Sequence, residues 1–176
     1  MLNEGDNAPA FSIRPIFGEP TTIPDGARRP LVLTFTGSLA SPFSRRWLAA
    51  FQDRFADFDR RGVRVAAIAR CAVPDAQDFV PRYHLLYPLA ADPDGTIAEQ
   101  YGVRSDRMLI GSLRSGLLSE ARSALSYGVG LGRGSLRTLP AAFYIDGDNT
   151  IRAALYSPSI AGAPDIEALL QCAPRS

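Results

Sequence analysis

Ser41-Pro42-Phe43-Ser44 sets two hydroxyls three residues apart around a proline, shortly after the apolar run Leu31-Val32-Leu33-Thr34-Phe35-Thr36. Serine followed by proline reads as a helix N-cap followed by the first helical position. The loop from Gly37 to Ser44 therefore joins the carboxyl end of a strand to a helix N-terminus. Ligands of open α/β sheets bind beyond that edge, and the unpaired N–H groups of a first helical turn favour negative charge. A cysteine placed there would be driven toward thiolate. A serine would not, because a helix dipole supplies only about 0.3–1 kcal/mol. Hydrolysis through Ser41 would need a base within hydrogen-bond reach. The single histidine, His84, falls on a different predicted helix and reads as a packed or surface residue.

Two cysteines are present. Cys71 follows a second apolar run, Val63 to Ala69, so it too stands at the carboxyl edge of the sheet. Two readings stay open for it: a relocated redox cysteine, or a small buried filler. Cys172 lies near the C-terminus and reads as inert. Cys71, Cys172 and His84 lack the spacing of a zinc site, so no metal and no cofactor is expected. All nineteen basic residues are arginine, which excludes Schiff-base and P-loop lysine chemistry. The glycine series Gly128, Gly130, Gly132, Gly134 follows a predicted helix and precedes a strand, the wrong order for a dinucleotide loop.

The elements that must position these residues alternate. Phe11 to Ile13 and Thr21 to Ile23 flank Gly18-Glu19-Pro20 and predict an N-terminal β-hairpin. A helix is expected from Pro42 to about Arg61, stopping at Gly62, with Trp47, Leu48, Phe51, Phe55 and Phe58 on its buried face. Val63 to Ala69 is a buried strand, Pro74 opens a helix ending before Pro88, Leu89 to Ala91 is a short strand, and Thr96 to Tyr101 a short helix. That rhythm belongs to βαβ units in an α/β fold. Met108 to Leu125 reads as an amphipathic helix. Leu139 to Asp146 and Ile151 to Leu155 form a hairpin about Gly147-Asp148-Asn149, and Asp165 to Leu170 a closing helix.

Composition narrows the classes. A chain of 176 residues with 46% apolar and 21% charged residues has the profile of one ordinary globular domain. Nineteen basic against eighteen acidic residues leave a net charge of +1, so neither nucleic acid nor an anionic membrane is an expected partner. The first residues carry no basic and apolar leader pattern, and a cytoplasmic location is expected.

The order of these pieces resembles the peroxiredoxin-like proteins of the alkyl hydroperoxide reductase/thiol-specific antioxidant (AhpC/TSA) group. The matching segments are Gly5 to Phe11, Leu31 to Phe35 with Ser41 to Arg46, Gly62 to Val65, Asp92 to Gly95 before Tyr101-Gly102-Val103, and Leu139 to Asp146. The resemblance implies one thioredoxin-like domain over residues 1–176: a three-layer sandwich with a mixed sheet, helices on both faces and an N-terminal hairpin. Residues 103–136 form a family-variable helical and glycine-rich insertion. The family motif at the helix start is of the C-P-F-C or T-x-x-C type. Ser41 and Ser44 occupy its positions here, Ser44 taking the peroxidatic place in the second alignment. Gly37 stands where the family has a proline, and Trp47 where a glutamate is frequent. With Leu39 and Ala40 also divergent, natural loss of the redox centre is favoured over substituted cysteines. Pro140 resembles the cis-proline that faces the active-site loop of thioredoxins, and Arg137 is the nearest arginine to the family's late one.

The resemblance thus implies a peroxiredoxin-like scaffold without the peroxidatic thiol, repurposed for binding. Leu39, Phe43, Pro140 and Arg137 are the expected binding residues, for a small apolar ligand or a protein partner, and a homodimer is expected. The alternatives are a thiol peroxidase or thiol–disulfide oxidoreductase, working through Cys71 or seen as a cysteine-to-serine variant, and a non-redox catalyst.

Overall fold

The computed structural model of the protein describes residues 1–16, 21–23, 28–106 and 137–174. Two short strands, β1 (Phe11–Ile13) and β2 (Thr21–Ile23), pair antiparallel with Phe11 opposite Ile23, as the hairpin reading expects. Pro15 and Ile16 do not extend that strand; instead the Ile16 N–H donates to the Leu89 carbonyl at 3.1 Å.

The run apolar on both faces is β3 (Leu31–Thr36), buried at all six positions. Its neighbour β4 (Arg64–Ala69) lies parallel to it, Leu31 opposite Arg64 and Thr36 opposite Ala69. Between them run α1 (Pro42–Asp53) and α2 (Phe55–Arg60). The expected single helix to Arg61 is therefore two. No proline or glycine marks the break; Arg54 sits there with φ −109° and ψ 8°, and its guanidinium bonds Asp57 and Glu167. Next come α3 (Val73–Tyr83), β5 (Leu89–Ala91) parallel to β4, and α4 (Thr96–Gln100). Asp92 accepts the N–H groups of Ile97 and Ala98, so this buried carboxylate caps α4.

A two-residue ladder, β6 (Ser105–Asp106) with β7 (Arg137–Thr138), precedes the late hairpin of β8 (Ala141–Ile145) and β9 (Ile151–Tyr156). β8 pairs antiparallel with β3, Phe35 opposite Ala141, and β9 with β8. The sheet order is β5-β4-β3-β8-β9, a mixed sheet. The closing helix α5 (Ile166–Cys172) is capped by Asp165, whose Oδ1 accepts the Ala168 N–H at 3.0 Å.

Alternation along β3 divides the core in two. Val32 joins Trp47, Leu48, Phe51, Phe58, Leu169 and Leu170 on the side of α1, α2, α3 and α5. Leu31, Leu33 and Phe35 join Phe11, Tyr101 and Phe143 on the side of α4 and the N-terminal strand. This is the expected three-layer sandwich. The aromatic stripe of α1 is core. Among the described residues no helix is long and apolar enough to cross a membrane. The expected Met108–Leu125 helix and the glycine series lie outside the described residues.

Candidate functional site

Two strand ends and one helix start meet at the carboxyl edge of the sheet. The Arg70 N–H donates to the Thr36 carbonyl at 3.0 Å, holding the ends of β3 and β4 level. The chain then turns: the Ser41 N–H bonds the Ser38 carbonyl at 3.0 Å, and Pro42 opens α1. Ser41 holds the N-cap position with extended backbone, φ −72° and ψ 130°, yet its hydroxyl accepts no bond from the helix. The expected side-chain cap is absent, and the Phe43 and Ser44 N–H groups are left without one. No acidic side chain stands in the first turn. Arg45 and Arg46 follow instead; Arg45 donates to the Tyr83 hydroxyl at 3.1 Å, and Arg46 donates to the Ala161 carbonyl while lying over the Phe43 ring.

Ser44 is 5% exposed. One turn further on, Trp47 donates its indole N–H to the Thr34 hydroxyl, so Thr34 faces α1. By alternation Thr36 faces the same layer, opposite the start of α1. Gly37 locates the convergence. A methyl group on it would stand 3.3 Å from the Thr138 carbonyl oxygen and 3.7 Å from Ser44 Oγ, so only a residue without a side chain leaves that space free. Thr36 is 1% exposed and Thr138 3%, and neither Oγ1 has a hydrogen-bond partner. Buried hydroxyls are ordinarily paired, and one left unmade costs about 1–3 kcal/mol. Sequence reasoning missed both threonines. Thr36 reads as the last residue of a buried strand, and Thr138 is overshadowed by Arg137 and Pro140.

The expected binding residues divide. Phe43 is half-buried at the first turn of α1. Leu39, 5% exposed, packs into the core on the α1 side, and Pro140 is buried with its carbonyl accepting the Ser157 N–H at 2.9 Å. Arg137 pairs by its backbone with Asp106, and the residue that reaches Gly37 is Thr138. A cavity of about 280 Å³ opens elsewhere, between Met1–Glu4 and Arg152–Tyr156, and shares no residue with this edge.

Both cysteines are free. Cys71 is 8% exposed, in the core cluster that also holds Leu39, Ala76 and Phe79. Burial, with a contribution from the Asp75 charge, pushes its thiol up to about 12. Cys172 is half-buried on α5, its Sγ near the Ala168 and Arg152 carbonyls, and burial also raises its thiol. Cys71 follows β4 whereas Cys172 packs on β9, three strand positions away, which is about 14 Å at ordinary strand spacing. They do not form a pair. His84 caps the C-terminus of α3 at φ 48° and is exposed; its carbonyl accepts from Gln52 at the far end of α1. Eight residues of helix separate Gln52 from Ser44, about 12 Å, so His84 is no base for either serine. Among the described residues no cluster of three or more His, Cys, Asp or Glu has the geometry to hold a metal ion.

The model of the AhpC/TSA family matches residues 5–154. A bcp protein of Coxiella burnetii that carries a peroxiredoxin name is 29% identical over 116 residues, 66% of this chain and 77% of its own length. Among solved structures, the peroxidoxin BcpB of Mycobacterium tuberculosis superimposes with a TM-score of 0.73 at 22% identity over the whole of both chains. A cysteine-to-serine mutant of Xanthomonas campestris peroxiredoxin Q does so with a TM-score of 0.67 at 18% identity, covering 92% of this chain and 87% of the other.

Proposed function

The chain belongs to the AhpC/TSA family, and from that premise we propose that it is a peroxiredoxin-like protein whose redox centre has been replaced, so that the mouth of α1 binds rather than reduces. One observation carries this reading: the hydroxyl of Ser44 stands where the resemblance places the peroxidatic sulfur, and it lies beside Gly37 at the first turn of the helix.

Peroxide reduction needs a thiolate that attacks the O–O bond and is itself oxidised to sulfenic acid. A serine oxygen cannot take up that oxidation. Its ionisation is also out of reach, because a helix terminus worth about 0.3–1 kcal/mol shifts a pKa by less than about one unit. The neighbouring sulfur supports the same reading: Cys71 is buried and held as a neutral thiol, the opposite of the exposed electropositive setting of a reactive cysteine. The frame around the site is kept while its sulfur is not.

Stopped-flow reduction of hydrogen peroxide and of an alkyl hydroperoxide tests the reading, together with dimedone capture of any sulfenic acid. The expected result is no turnover above the buffer rate and no adduct on Cys71 or Cys172. Peroxiredoxin-like turnover, or a dimedone adduct on Cys71, overturns it in favour of a working thiol peroxidase.

A further inference from the structure

We draw no further inference here: the strongest candidate, the cavity between Met1–Glu4 and the edge strand β9 at Arg152–Tyr156, carries nothing, because the Tyr156 hydroxyl already bonds Leu2 and Tyr101, the Arg152 guanidinium already bonds Asp146, and nothing in the structure shows what fills it.

Discussion

The indole N–H of Trp47 donates to the hydroxyl of Thr34 across 2.7 Å, and that same hydroxyl donates to the Ala141 carbonyl at 3.2 Å. One buried oxygen therefore joins α1, β3 and β8 in a single relay beneath the candidate site. Trp47→Phe removes the donor and part of the volume at a fully buried position. A loss of about 2–3 kcal/mol is expected from the missing bond and the space left behind. Urea unfolding followed by circular dichroism measures it, and a cost below 1 kcal/mol would show that the relay contributes little.

Alkaline stability should fall in a defined window. The Cys71 thiol is raised from 9.0 to about 12, mainly by burial and secondarily by Asp75. Tyr144 is raised from 10.0 to about 12, by burial first and then by Cys172 and Asp146. Above pH 9 the unfolded chain releases protons that the folded chain keeps, so the stabilisation is whole below pH 9 and is lost as pH climbs toward 12. Denaturation midpoints between pH 8 and 11 should decline, and Cys71→Ala should flatten the slope. Equal slopes in both proteins would contradict the assignment of the buried neutral thiol.

The acid side turns on Asp146. Burial alone would raise this carboxyl, but the N–H groups of Thr150 and Asp148 and the Arg152 guanidinium outweigh it and hold it below the ordinary carboxylate value. Its Oδ1 accepts both N–H groups at 2.9 Å, and Oδ2 accepts Arg152 Nε at 2.6 Å. A depressed carboxyl stabilises the fold above its unfolded pKa, and that contribution disappears as pH drops through the folded value. Asp146→Ala should cost about 1–2 kcal/mol at neutral pH by loosening the β8–β9 turn. The same variant should show a shallower loss of stability below pH 4.

Placing sulfur at the mouth of α1 probes its field directly. In Ser44→Cys the two N–H groups, the helix dipole and Arg45 and Arg46 favour the thiolate. Its pKa should therefore fall below the ordinary value of about 8.5. Thiolate absorbance at 240 nm against pH reads it, with the wild type subtracting Cys71 and Cys172. A value above 8.5 would mean that burial outweighs the field at this position.

What the sequence disclosed, and what it withheld, follows from the range of the forces involved. The strands β3 and β4 and the aromatic face of α1 were legible because apolar periodicity reports burial locally. The break at Arg54 was not, since its guanidinium is engaged by Glu167, 113 residues further along the chain. Ser44 was legible through family order alone; nothing local announces that a serine on the first turn will be buried. Leu39 reads from sequence as a ligand contact, because an apolar residue in a loop suits that role as well as it suits the core in which the structure buries it. Thr36 and Thr138 were invisible as a pair. The lack of a partner is a property of three segments brought together, and no single segment encodes it.

The pairing of β3 with β8 joins residue 35 to residue 141. Closing so long a loop is slow compared with forming the parallel β3–β4 unit. The amino-terminal part of the sheet can therefore assemble on its own schedule, while the wall supplied by Thr138 arrives only when the final quarter of the chain docks. During synthesis the mouth of α1 must wait for that last arrival, and refolding should show its architecture completed in the slowest phase.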